Sequence, residues 1–131
     1  MDVAIIEDAS RGCTVVRLRG ELDIASVPEL RDQLIVILDR HTPGLMILDL
    51  AELEFIDSSG TAVLVTTQRR ARLLGCTLAL VAPQPAVSRV LHICGLDRYF
   101  LIFENFSAAA GLALTDLPSS PAVSGSDPGS A

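Results

Sequence analysis

Lysine is absent from this 131-residue chain, so every one of its 10 basic residues is an arginine. That removes the P-loop lysine and any Schiff-base chemistry. Tryptophan is absent too, aromatic residues make up only 4%, and the formal charge is −6. A nucleic-acid-binding surface wants a basic stripe with aromatics for stacking. The only basic cluster is Arg69, Arg70 and Arg72, in the last turns of a predicted helix, where cations simply favour the helix dipole. Nucleic acid is therefore excluded as a partner. The apolar runs are short: Ile35 to Leu38 and Ala62 to Val65 fall far below the ~20 residues that cross a bilayer. The start, Met1-Asp-Val-Ala, has no basic region, apolar block or cleavage site of a signal peptide. No membrane association is expected, and the cytoplasm is the expected location. Cys13, Cys76 and Cys94 are odd in number, far apart and never in a C-x-x-C pair. They read as buried small hydrophobes in a reducing compartment. His41 and His92 add no metal site, because His92 and Cys94 lie two apart on a predicted helix and face different ways.

Half of the residues are apolar, enough for a chain of this size to form one core without metal or disulfide. Val3 to Ile6 and Thr14 to Gly20 read as strands joined through Asp8-Ala-Ser-Arg-Gly12, a hairpin. Ser26-Val-Pro-Glu29 has the form of a capping box. Leu30, Leu34, Ile37 and Leu38 then follow at one-face helical spacing, up to a stop at Thr42-Pro-Gly44. Leu45 to Leu50 is a strand, its continuous apolar start suiting burial on both faces. A helix after Ser58 ends at Gly75, and Thr77 to Val81 is a strand. Pro85 opens a helix that Gly95 closes, with Val87, Val90, Leu91 and Cys94 on one side. Phe100 to Phe103 is the last strand, and Ser107 caps a final helix to about Leu114. The alternation implies an α/β domain: a mixed sheet of about four or five strands, an N-terminal hairpin followed by parallel strands, covered by about four helices. That domain spans 1–114. Residues 115–131 are Pro, Ser, Gly, Ala and Asp in the main, with nothing to form a packed face, and read as a disordered tail.

The most informative stretch is Phe55-Ile-Asp-Ser-Ser-Gly-Thr-Ala-Val-Leu64. It puts one carboxylate, two hydroxyls and a glycine between a strand and a helix, where a new helix offers unpaired N–H groups. A negative charge on a side chain is well placed there. The same residue types are also ordinary helix caps, and geometry alone leaves Ser58 and Ser59 equally open to modification.

Together with Gly20-Glu-Leu-Asp-Ile-Ala25, Leu48-Asp-Leu50, Leu78-Ala-Leu-Val81, Val90-Leu-His-Ile-Cys-Gly-Leu96 and Phe100-Leu-Ile-Phe103, this stretch resembles the STAS-domain anti-sigma factor antagonists. The likeness runs in order from about Val3 to Leu114. It implies partner switching. The unphosphorylated protein binds an anti-sigma factor that is itself a serine kinase and so frees the sigma factor. The kinase then phosphorylates the first serine of the motif, here Ser58, and a metal-dependent serine phosphatase resets it. ATP and metal belong to those enzymes, so no cofactor and no enzymatic activity are expected of this chain.

Glu21 and Asp23, at the end of the second strand, come near Ser58 if that strand runs parallel to Leu45–Leu50. With Ile24, Asp57, Ser59, Gly60 and Thr61 they form the expected partner-binding surface. As alternatives, Glu21 and Asp23 are solvated loop charges, Asp57 a plain cap, and Gly60 either clears the way for a kinase or eases the turn. Ser59 is expected to cap or donate to the backbone, with secondary phosphorylation there left open. Thr61-Ala62 departs from the apolar residue and glycine of many family members and puts a further polar group on the contact face. Asp49, inside an apolar strand, needs a partner, expected from backbone N–H groups of the following loop. A weak homodimer stays open as the oligomeric state. An esterase-like use of Ser58 lacks both the G-x-S-x-G elbow and a triad partner for either histidine. The remaining alternative is a STAS module that does not switch and serves as a scaffold or interaction module in a signalling or transport complex.

Overall fold

Residues 2–8, 13–41 and 44–115 are described by a computed structural model of the chain. In chain order the elements are β1 (Asp2–Asp8), β2 (Cys13–Leu22), α1 (Val27–His41), β3 (Leu45–Ile56), α2 (Ser58–Leu73), β4 (Thr77–Val81), α3 (Pro85–Ile93), β5 (Leu101–Phe103) and α4 (Phe106–Thr115). The strands form one sheet in the order β1-β2-β3-β4-β5. β1 pairs antiparallel with β2, and every later pair is parallel. The expected mixed sheet with helical cover is thus borne out. The hairpin residues 9–12, the stop at 42–43 and the tail from 116 onward lie outside the described residues.

The continuous apolar run in β3 serves two cores, because successive side chains of a strand point to opposite faces. Met46 and Leu48 join Leu34, Leu38, Val63, Leu64, Val87 and Leu91 on the side of α1, α2 and α3. Leu45 and Ile47 join Cys13, Val15, Ala79 and Val81 beneath Ala109 of α4. Asp49 follows, where that second face meets water. Its carboxylate accepts from the Ala51 N–H at 3.0 Å and from Arg17 Nε on the neighbouring strand at 3.2 Å. The backbone partner is therefore in the strand itself rather than in a loop.

β3 runs six residues beyond the expected end at Leu50, as its span Leu45–Ile56 shows. Its pairing with β2 slips between Arg17 and Arg19 and again between Gly20 and Glu21. Gly20 has φ +108°, a conformation open to glycine and strained for other residues, as bulges demand. The slips turn Leu50, Leu53 and Ile56 to the helical core, where all three are buried.

Two capping expectations change. Ser26 does not act through a capping box: its hydroxyl accepts from the Asp23 N–H and lies 3.0 Å from the Glu21 carbonyl, tying down the loop before α1. At α4 the cap is Asn105, whose side chain accepts from the Ala108 N–H at 2.8 Å, and Ser107 lies inside the helix. Gly75 does end α2. At φ +75° it lets Cys76 N–H reach the Ala71 carbonyl at 2.8 Å and its own N–H reach Arg72 at 3.2 Å, the Schellman arrangement.

Cys13 and Cys76 are buried as expected, whereas Cys94 is exposed just past the end of α3. Burial pushes the Cys76 thiol up to about 11, so it is almost wholly protonated near neutrality and a poor nucleophile. We expect iodoacetamide at pH 8 to add a single label to the native protein, at Cys94, with Cys13 and Cys76 reacting only after denaturation. Peptide mass mapping reads this directly, and rapid native labelling of Cys76 would contradict the packing. His92 pairs with Asp97, Nδ1 to Oδ2 at 2.6 Å. Among the described residues no cluster of three or more His, Cys, Asp or Glu is placed to hold a metal ion. Nor is any helix among them long and apolar enough to cross a membrane.

Candidate functional site at the start of helix α2

Parallel pairing carries β2 and β3 to a common edge, with Glu21 opposite Phe55 and Leu22 opposite Ile56. Paired strands lie ~4.8 Å apart. One further bond joins what leaves them: the Asp57 N–H donates to the Leu22 carbonyl at 3.2 Å. The Glu21–Ile24 segment and the Ser58 segment are thus neighbours, as the parallel arrangement required.

The first segment is a built turn. Asp23 Oδ1 accepts from the N–H of Ala25 at 3.0 Å and of Ser26 at 3.3 Å. These bonds make Asp23 a structural residue of the loop as well as a charge at its surface. They leave Ile24 at the tip, 75% exposed. Glu21 is exposed and, with Asp23, lines a shallow cleft shared with Glu29 and Gln33 of α1.

The second segment opens α2. Asp57, with φ −111° and ψ −172°, is the N-cap, and its Oδ1 accepts from the Gly60 N–H at 3.0 Å. That cap stabilises the helix by about 1 kcal/mol, so of the two readings of Asp57 the capping one is present in the structure. It also takes the capping role expected of Ser59. The first intrahelical bond runs from the Thr61 N–H to the Asp57 carbonyl at 3.0 Å. Ser58, the first helical residue, is exposed, and Ser59 is half-buried.

Gly60 and Thr61 do not belong to a contact surface. Thr61 is 6% exposed, and its hydroxyl donates to the Ser58 carbonyl at 2.8 Å. Its polarity is consumed inside the first turn, so it adds nothing to the contact face. Gly60 is buried against the strand ends. A Cβ there would meet Ile56 Cγ1 at 2.7 Å and both Leu22 Cγ and the Leu22 carbonyl oxygen at 2.8 Å. Glycine is required by space in the interior, not by access from outside.

The rim is mainly acidic, with Arg19 at its border paired to Glu52 at 3.8 Å. Residues 20–26 and 51–61 carry Glu21, Asp23, Glu52, Glu54 and Asp57 and no basic side chain. Against this field stands the positive end of α2, whose first N–H groups lack intrahelical acceptors. The arrangement presents the Ser58 hydroxyl to solvent at the first residue of α2. Phe55, three positions before Ser58 and 48% exposed, escaped the sequence reading, whose strand stopped at Leu50.

Comparison with known proteins gives the family and the fold. A model of the STAS domain matches residues 4–109. An anti-sigma F factor antagonist of Paenibacillus polymyxa is 31% identical over 105 residues, covering 80% of this chain and 90% of that protein. The crystal structure of an anti-sigma factor antagonist from Mycobacterium paratuberculosis superposes with a TM-score of 0.77 at 25% identity, over 86% of this chain and 93% of the other. The phosphorylated form of the Bacillus cell fate determinant SpoIIAA shares the fold, with a TM-score of 0.65 at 23% identity over 85% and 99% of the two chains. With the domain matched over most of its length and a relative similar across nearly its whole sequence, the chain belongs to the STAS-domain family of anti-sigma factor antagonists.

Proposed function

We propose that this antagonist works as a phosphorylation switch at Ser58. Without phosphate it binds an anti-sigma factor that is itself a serine kinase, and the sigma factor is freed. The kinase then transfers the γ-phosphoryl group of ATP to Ser58. The Oγ–P bond forms as the bond from the γ-phosphorus to the oxygen of departing ADP breaks, and the hydroxyl proton passes to a base of the kinase. The modified antagonist lets go, and a serine phosphatase returns it to the binding form. The contact surface comprises Glu21, Asp23, Ile24, Asp57 and Ser59 around Ser58.

The observation that carries this reading is the contrast along one helical turn. Ser58 faces solvent, whereas Ser59 is half-buried and Thr61 is buried with its hydroxyl engaged. A kinase approaching this surface meets Ser58 first. The test is intact-mass spectrometry of the full chain after incubation with ATP and each purified anti-sigma serine kinase of the source organism. Wild type and Ser59→Ala gain one phosphate, and Ser58→Ala gains none. A phosphate that persists in Ser58→Ala moves the switch elsewhere. No gain with a kinase that binds the protein leaves a scaffold that does not switch.

A further inference from the structure

We infer that Phe55 is the apolar anchor on which the anti-sigma factor seats, with Ile24 as its companion. The inference rests on the anti-sigma factor being the partner proposed above and adds the residues that it grips. Phe55 is 48% exposed and Ile24 75% exposed, at the one edge of the sheet that also presents Ser58. Phe55 lies three positions before Ser58, so their Cα atoms are within roughly 11 Å. An interface of ordinary size, about 800 Å² per partner, that spans the end of β3 and the start of α2 takes in both residues. Covered aromatics with a polar rim are the residues on which interface affinity concentrates.

The rim identifies the occupant. Glu21 lies opposite Phe55 across the strand pair, Glu54 and Asp57 flank it in sequence, and Asp23 holds the Ile24 turn. A second copy of this chain docking by the same patch would set these carboxylates against their own kind, and the chain as a whole carries −6. Such like-charge apposition is costly. The complementary surface is an apolar socket ringed by arginine or lysine. Opposite Ser58 the same partner must present the nucleotide's γ-phosphate, so its face is divided: cations toward Glu21 and Asp23, an anion toward the hydroxyl. Because Ser58 is held in the first turn of a capped helix, this is recognition of a folded shape rather than of an extended peptide.

Isothermal titration of the unphosphorylated full chain with each purified anti-sigma serine kinase of the source organism tests the assignment. Phe55→Ala weakens binding about tenfold or more. Ile24→Ala, in a loop where nothing is unpacked, weakens it several-fold, and Phe55→Leu restores most of the affinity. Leu73→Ala, 81% exposed at the far end of α2, leaves it unchanged. Equal affinity of Phe55→Ala and wild type overturns the inference, as does an equal loss in Leu73→Ala. Mass spectra of the same mixtures with ATP read the switch separately. Wild type that binds but gains no phosphate ends the switch reading and leaves Phe55 to be judged on its affinity ratio. Binding by none of the kinases overturns both.

Discussion

Gly60→Ala lowers the stability of the domain by about 2 kcal/mol, although alanine is the better helix former. Taken alone, helix propensity favours alanine over glycine by up to ~1 kcal/mol. The added methyl meets three atoms at 2.7–2.8 Å, however: Ile56 Cγ1, Leu22 Cγ and the Leu22 carbonyl oxygen. None of these yields cheaply. Leu22 and Ile56 are 0% and 2% exposed, and the Leu22 carbonyl is held by the Asp57 N–H. Overpacking of this kind costs about 1–3 kcal/mol, and three simultaneous contacts put Gly60 at the upper end, so the clash wins over the propensity. A thermal melt then falls by about 8 °C relative to wild type, from roughly 4 °C per kcal/mol for a domain of this size. An unchanged or raised midpoint would mean that α2 slides away from the strand ends without loss. Such a slide would move Ser58 relative to Glu21 and would appear as a loss of affinity for the anti-sigma factor at unchanged stability. Glycine at this position sets the distance between the two halves of the site.

This role illustrates what the chain's own pattern conveys and what it hides. The helical faces were legible because their periodicity is local: Leu30, Leu34, Ile37 and Leu38 repeat at one-face spacing and all are buried. The glycine stops were legible for the same reason, since Gly75 and Gly95 each close a helix by local bonds. The end of β3 was not. Two slips in its pairing with β2 convert a strand's alternation into the three-residue spacing of Leu50, Leu53 and Ile56. A pattern read along one strand cannot register a slip against its neighbour. The site divides in the same way. Its position at the shared edge of β2 and β3 followed from parallel pairing, and the motif marked Ser58. Burial of Gly60 and Thr61 depends on how closely the helix approaches Leu22, a residue 38 positions before Gly60. Exposure of Phe55 depends equally on non-local packing, since which side chains of β3 are covered is decided by its neighbours and not by its own pattern.

Phosphorylation of Ser58 leaves the fold intact and weakens binding to the anti-sigma factor about a thousandfold. The two halves of this expectation have different physical origins. Within the antagonist the new charge, roughly −1.5 to −2, falls on an exposed side chain at the first residue of α2. There the helix N-terminus favours it by ~0.3–1 kcal/mol. The carboxylate of Asp57 opposes it by about 1 kcal/mol at the ~6 Å separation of neighbouring exposed side chains in water. These terms nearly cancel, and the melting temperature moves by less than about 4 °C. At the interface nothing cancels. A partner surface shaped for a neutral hydroxyl, with nucleotide phosphates behind it, must strip water from a dianion and place it against like charge. A thousandfold weakening corresponds to ~4 kcal/mol, within the range that an unpaired buried charge at an interface costs. Titration calorimetry on the phosphorylated and unphosphorylated proteins, beside their circular dichroism melts, separates the two halves. A midpoint lower by 10 °C or so would assign the loss of binding to unfolding, and an affinity within tenfold of the unmodified protein would remove Ser58 as the switch. Ser58→Asp, with one charge and no third oxygen, should fall between the two forms in affinity and match wild type in the far-ultraviolet spectrum.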